Sequence, residues 1–142
     1  VGALCGAPRF RAQLARFGER LGMAFQVQDD LLDYTEDSGT TGKPAGLDLK
    51  EHKVTLPLIE TLRRVSPEQR AVVERLFAMP EPGDSDIARV VEIVRETGGL
   101  DFARRRGEEY ASQAEEALYD LPNSPARAAL NDALAYVLDR RF

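Results

Sequence analysis

Three carboxylates and an amide recur at helical spacing in the stretch FQVQDDLLDY, residues 25–34. At about 100° of rotation per residue, one arc of a helix carries Gln26, Asp29, Asp30 and Asp33. The flanking residues are mostly apolar, which predicts that the segment is largely buried. Gly22, one turn earlier on the same stripe, would leave room above the arc or pack against another helix.

Buried carboxylates are costly unless a cation compensates them, and oxygen ligands suit Mg²⁺. The pattern therefore favours a magnesium site. A solvated acidic face is the plainer alternative, because like charges at helical spacing repel by only about 0.2–0.5 kcal/mol on an exposed helix.

The next polar segment, GKPAGLDLKEHKVTLP at residues 42–57, could reach an anion. Its glycines allow close backbone approach, and Lys43 and Lys53 are flexible cations. The spacing is not that of a Walker-type phosphate loop. Directly after a carboxylate-bearing helix, the segment predicts a diphosphate that is bridged to the protein through metal ions and lysines.

Helical periodicity continues along nearly the whole chain and predicts an all-α fold, a helical bundle. A loop is expected at about 36–52, and helices are expected at about 8–34, 56–64, 66–79, 85–96, 100–121 and from 124 onward. Pro57 is tolerable in a first helical turn. Ser66 and Gln69 form a capping-box pattern, and Gly98 suits a left-handed helix end.

The composition of the chain limits the classes of function that it can have. The chain has 142 residues, of which 43% are hydrophobic and 30% charged, with a formal net charge of −5. That charge disfavours nucleic acid as a partner. No apolar run approaches the roughly 20 residues of a membrane span. The single cysteine, Cys5, favours a reducing cytoplasm. Because the chain opens on Val1 inside an apolar stretch, we expect residues 1–142 to be a single all-α region, the C-terminal fragment of a longer domain.

The order of these motifs resembles the second aspartate-rich region of the trans-isoprenyl (polyprenyl) diphosphate synthases. The matching elements are Phe25-Gln26, Asp29-Asp30-x-x-Asp33, Gly42-Lys43, Asp48 and Lys53-Val54-Thr55-Leu56-Pro57. The resemblance is strong over residues 22–57 and looser beyond them. It implies the C-terminal part of the isoprenoid synthase fold, in which two DDxxD-type motifs face each other across a deep apolar cavity.

The resemblance also implies a reaction. Mg²⁺ and basic residues stabilise the leaving group as an allylic diphosphate ionises, and the allylic cation alkylates isopentenyl diphosphate. Metal binding would fall to Asp29 most directly, then to Asp30 and Asp33, with Asp48 behind them. The allylic diphosphate would contact Gln26, Lys43 and Lys53. Of these, Gln26 and Lys43 are assigned catalytic roles. Isopentenyl diphosphate would lie beside Phe25 and near Arg140 or Arg141.

The first aspartate-rich motif is absent from this sequence, so we expect the chain alone to be inactive and to associate as a homo-oligomer, a dimer. The Gly-Lys-Pro-Ala-Gly and Lys-Val-Thr-Leu-Pro elements weakly favour a long-chain product.

A non-catalytic helical subunit should show degraded aspartates, and a class I terpene cyclase fits the lysine segment less well. A metal-dependent phosphohydrolase would need more histidines than His52, which we interpret as a solvated loop residue. The run Arg104-Arg105-Arg106 indicates an ion-paired surface.

Overall fold

A computed structural model describes residues 8–35 and 45–138. Within these residues the chain forms helices and no β-strand, which confirms the all-α prediction. After a 3₁₀ turn at Pro8–Phe10, the helices are α1 (Arg11–Thr35), α2 (Leu47–Lys50), α3 (Leu56–Arg64), α4 (Pro67–Ala78), α5 (Asp84–Glu96), α6 (Gly99–Ala117) and α7 (Pro125–Leu138).

Several residues that were predicted to begin or end helices lie at helix ends in the structure. The N–H of Gln69 donates to Ser66 Oγ at 3.2 Å, and the N–H of Ser66 donates to Gln69 Oε1 at 3.1 Å, so the capping box is confirmed. Pro57 lies in the first turn of α3. Gly98 has φ +75°, the left-handed conformation that glycine tolerates best.

Two predicted boundaries were wrong. Helix α6 ends at Ala117 instead of Leu121, because the chain tightens into i→i−3 hydrogen bonds such as Leu121 N–H to the Leu118 carbonyl. The short helix α2 lies where a loop was predicted. Residues 36–44 of that loop lie outside the described residues.

The chain divides into two compact units, and each has its own hydrophobic core. One unit contains described residues 8–28 and 105–138, and its buried core is formed by Phe17, Ala24, Ala111, Ala114, Ala117, Leu118, Leu121, Leu134 and Val137. The other contains residues 29–35 and 45–104, with a core of Tyr34, Leu49, Leu58, Val73, Leu76, Ile87, Val90, Val91 and Val94. Helices α1 and α6 each contribute residues to both units. None of the described helices is both long and apolar enough to cross a lipid bilayer.

The predicted role of Gly22 as a packing residue finds no support among the described residues. Gly22 is exposed in the middle of α1, and an added Cβ would meet nothing within 4 Å. Gly22→Ala should therefore stabilise the protein by about 0.5–1 kcal/mol, because alanine loses less backbone entropy in a helix. The measurement is the midpoint of thermal unfolding.

Gly99→Ala is the matched control, since its Cβ would lie 2.4 Å from Thr61 Oγ1 and 2.5 Å from the Pro57 carbonyl oxygen. This variant should unfold at a lower temperature than the wild type. A lowered midpoint for Gly22→Ala would instead reveal a neighbour that packs against Gly22.

Candidate metal and diphosphate site

The last turns of α1 place the three aspartates in different environments. Asp29 is exposed, Asp30 is only 7% exposed, and Asp33 is half-buried. All three belong to the unit of residues 29–104. The three carboxylates of a single motif therefore differ in electrostatic environment, and they can take part in different chemistry.

The prediction that the segment around residues 25–34 is largely buried was right for only one face of the helix. Buried positions follow helical spacing at Ala24, Val27, Leu31 and Tyr34. Met23 and Phe25 remain 41% and 40% exposed despite their apolar side chains. A helix buries one stripe, so an apolar composition on both sides of the aspartates did not bury all of them.

Asp33 connects the end of α1 to the segment that begins at Gly46. Its Oδ1 accepts the Leu47 N–H at 3.0 Å, and its Oδ2 accepts the Asp48 N–H at 3.2 Å. The Asp33 carbonyl oxygen also accepts the Gly46 N–H at 2.8 Å. Three successive amides at the start of α2 therefore bind one residue.

Gly46 is required for this approach. It has φ +83°, and a Cβ at this position would lie 2.4 Å from Ile87 Cγ2 in the core. A side chain here would meet both backbone strain and a steric clash. The glycine thus lets the segment pass between Asp33 and α5.

Burial raises the pKa of the Asp33 carboxyl above its ordinary value of 3.8; the amide hydrogen bond from Asp48 opposes the rise, and the negative charge of Asp48 adds to it. A folded-state pKa above the unfolded value makes this group's contribution to stability greatest below pH 3.8. The contribution declines as the pH rises through the raised value.

Two carboxylates hold the Lys53 ammonium. Lys53 Nζ lies 2.7 Å from Glu51 Oε2 and 3.0 Å from Asp48 Oδ1. The Lys53 backbone N–H also donates to the Asp48 carbonyl oxygen at 2.8 Å. Hydrogen bonds to these two acids raise the pKa of Lys53 above its ordinary value of 10.5. Lys53 therefore remains a cation throughout the physiological pH range.

Tyr34 connects the aspartate helix to the Lys-Val-Thr-Leu-Pro segment, a contact that the sequence did not reveal. The side chain is fully buried, and its hydroxyl lies 3.4 Å from Thr55 Oγ1. Burial raises the pKa of Tyr34 far above its ordinary value, and the charges of nearby carboxylates contribute. Arg95 Nη2 donates to the Tyr34 carbonyl oxygen at 2.9 Å, so a cation lies at the C-terminal end of α1.

The described residues contain no group of three or more acidic, histidine or cysteine side chains positioned to hold a metal ion. The Asp33 carboxylate accepts amide hydrogen bonds, and that of Asp48 binds Lys53. Mg²⁺ is usually bound by one or two carboxylates together with phosphate oxygens and water. The carboxylate oxygens at the end of α1 are of the type that Mg²⁺ prefers, and phosphate oxygens or water would have to complete the coordination of an ion bound there.

A sequence model of the polyprenyl synthetase family matches residues 1–94. The chain belongs to the polyprenyl synthetase family.

Relatives in this family include an all-trans-nonaprenyl-diphosphate synthase (geranyl-diphosphate specific) of Rhodobacter capsulatus. It is 42% identical over 137 residues, which cover 96% of this chain and 42% of that protein. The octaprenyl diphosphate synthase of Escherichia coli is 39% identical over 130 residues, covering 91% of this chain and 40% of that protein. The chain thus spans about two fifths of the length of these relatives.

Solved structures show the same fold. A decaprenyl diphosphate synthase from Rhodobacter capsulatus superimposes with a TM-score of 0.84 at 30% identity, covering 100% of this chain and 43% of that one. A polyprenyl synthase from Caulobacter crescentus, solved with calcium and isoprenyl diphosphate, gives a TM-score of 0.81 at 35% identity, with 92% and 40% covered. The predicted isoprenoid synthase fold is confirmed.

The structure describes only some of the predicted site residues of this polyprenyl synthetase chain. Lys43, Arg140 and Arg141 lie outside the described residues, as does Cys5. Gln26 is exposed on α1, like Phe25 one position before it. Their assignments stay predictions.

The prediction of a solvated His52 was wrong. This residue has φ +56° and is half-buried, with its ring centroid 5.7 Å from that of Phe77. The ion-paired arginine surface is confirmed for two residues of the run, because Arg104 binds Asp101 at 2.9 Å and Arg106 binds Glu109.

Tyr34→Phe should destabilise this unit by about 0.5–1.5 kcal/mol, because it removes the hydroxyl that contacts Thr55 while leaving the ring packed. Urea unfolding measures the change. Tyr136→Phe, at a tyrosine that is 64% exposed, is the control and should have little effect. Equal stability of the wild type and Tyr34→Phe would show that this contact contributes nothing.

Proposed function

We propose that this chain supplies the second metal and diphosphate site of a polyprenyl diphosphate synthase, which condenses an allylic diphosphate with isopentenyl diphosphate. The observation that carries the proposal is the connection of the aspartate helix to the lysine segment through Asp33. In one compact unit, carboxylates suited to Mg²⁺ and a permanent cation, Lys53, belong to elements joined by hydrogen bonds. The relatives' names support the reaction class.

Mg²⁺ would be held by Asp29 and Asp30, with Asp33 and Asp48 close behind. When bound, it would supply positive charge to the diphosphate oxygens. Asp29 is the exposed member of the set and thus the most accessible to a metal–diphosphate complex.

The chain's own residues would bind and orient the substrates. Negative charge grows on the diphosphate as the carbon–oxygen bond breaks, and pre-positioned cations stabilise such charge without reorganising. We assign this role to Lys43 and Lys53, with Gln26 donating an amide hydrogen bond. Phe25 would border isopentenyl diphosphate, and Arg140 or Arg141 would approach its diphosphate.

Three further proposals rest on resemblance and composition. A long-chain product is supported by nonaprenyl, octaprenyl and solanesyl synthases among the relatives. A homodimer is the expected assembly, and the cytoplasm is the expected compartment because the chain has a single cysteine. The non-catalytic subunit and the terpene cyclase gain no support from these relatives.

Metal-dependent ligand binding tests the site in the chain itself. Mg²⁺ together with a bisphosphonate should raise the thermal unfolding temperature, because ligands that bind only the folded state stabilise it; at about 100 times Kd the gain is about 2.7 kcal/mol. The same ligands should raise the unfolding temperature of Asp29→Ala distinctly less. Asp132→Ala, which removes an exposed carboxylate on α7, should gain as much as the wild type. Equal gains in all three proteins would place Asp29 on an ordinary acidic surface.

Turnover can be tested in a chimera in which this chain replaces the matching residues of the Rhodobacter capsulatus nonaprenyl synthase. With labelled isopentenyl diphosphate, an allylic primer and Mg²⁺, a chimera that folds should form product. Asp29→Ala should reduce kcat by about 10²–10³ with a smaller effect on KM, since the charge it stabilises develops in the transition state.

The 142-residue chain assayed alone should form no product, and Asp132→Ala should leave the chimera's turnover unchanged. A folded chimera whose turnover is insensitive to Asp29→Ala would contradict the assignment of the metal site.

A further inference from the structure

We propose that Asp33 is a positioning residue, which holds segment 46–53 against the end of α1 and so determines where Lys53 presents its ammonium group. In this view Asp33 does not ligate the metal directly. The inference rests on the proposed function of the site, and it changes the role expected for the third aspartate of the motif.

The geometry of the carboxylate carries the first step. Its two oxygens accept different amides, those of Leu47 and Asp48, while the Asp33 carbonyl accepts the amide of Gly46. The first amides of a helix need acceptors, and Gly46, at the N-cap of α2, has no side chain to provide one. A carboxylate turned toward a metal would leave the amides of Leu47 and Asp48 without their acceptor.

The second step links this contact to Lys53. The Asp48 amide binds Asp33, and the Asp48 carboxylate binds Lys53 Nζ at 3.0 Å. The backbone N–H of Lys53 also binds the Asp48 carbonyl at 2.8 Å. An unbroken set of hydrogen bonds therefore leads from Asp33 through Asp48 to the ammonium group.

The third step separates positioning from a merely structural role. Segment 46–53 has an anchor that is independent of Asp33, because Leu49 is fully buried in the core of the same unit. Loss of the Asp33 carboxylate should thus shift or loosen the segment without unfolding it. Asp29, one turn earlier and exposed, remains the aspartate with access to a metal–diphosphate complex.

The test compares Asp33→Ala with Asp33→Asn, which keeps one oxygen acceptor. Backbone hydrogen exchange should show protection at Leu47 and Asp48 reduced by about three- to tenfold or more in Asp33→Ala, with a smaller reduction in Asp33→Asn. Acylation of Lys53, followed by mass spectrometry, should become faster relative to Lys50 as the Asp48 contact loosens. Neither measurement requires a ligand.

Binding of inorganic pyrophosphate with Mg²⁺ then relates position to function. At saturating Mg²⁺, Asp33→Ala should bind pyrophosphate about three- to tenfold more weakly, while the Mg²⁺ concentration for half-saturation stays within about twofold of the wild type. Asp29→Asn is the comparison for a metal ligand and should mainly raise the Mg²⁺ requirement. Glu51→Gln removes the other carboxylate at Lys53 and should leave the protection of Leu47 and Asp48 unchanged.

Three results would overturn the inference. The first is unchanged exchange at Leu47 and Asp48 or unchanged Lys53 reactivity in Asp33→Ala. The second is a Mg²⁺ requirement that rises as much as in Asp29→Asn, which would make Asp33 a ligand. The third is a lower unfolding temperature with both binding constants unchanged. Failure of the wild type to bind Mg²⁺ and pyrophosphate would instead contradict the proposed function, while exchange and acylation still decide the role of Asp33.

Discussion

The hydrogen bonds between Asp33 and three consecutive backbone amides join the aspartate helix to everything that follows it in this unit. They act together with two further contacts between α1 and the lysine segment, the shared core of Tyr34 and Leu49 and the contact of the Tyr34 hydroxyl with Thr55. Two residues of the lysine segment contribute to the same junction. Leu49 is buried in the core, and Gly46 adopts the left-handed backbone conformation that the close approach requires. Tyr34 and Arg95 then fix the end of α1 against Thr55 and α5.

Charge is distributed unevenly across this junction. Burial is the main cause of the raised pKa of Asp33, and the charge of Asp48 adds to it, while the Asp48 and Leu47 amides and the charge of Lys53 oppose the rise. Lys53 is bound on both sides by carboxylates and stays protonated. Among the described residues, carboxylates at the end of α1 and the Lys53 cation thus belong to one hydrogen-bonded junction. Such an arrangement is suited to a ligand that itself contains both signs, as a magnesium diphosphate complex does.

Sequence reasoning succeeded where local rules govern structure. Ser66 and Gln69 cap a helix through neighbouring backbone groups, and Gly98 ends one through its own dihedral angles, so both could be predicted from adjacent residues. The motif elements at residues 25–57 identified the family, because their residue types and order are visible in the sequence alone. The sequence could not show that Asp33 binds amides 14 and 15 residues away, that Tyr34 meets Thr55, or that His52 packs on Phe77, because these contacts depend on how helices pack.

The same limit explains the burial prediction that failed. Apolar neighbours on both sides of an aspartate suggested a buried motif, yet a helix packed along one stripe leaves Phe25 and Asp29 exposed while it buries Leu31 and Asp30. The difference matters for chemistry, because an exposed carboxylate can exchange water for a metal–diphosphate complex at small cost. A buried carboxylate can instead exert an electrostatic field from a fixed position. If metal and diphosphate each complete the other's coordination, binding of either must strengthen binding of the other by the same factor.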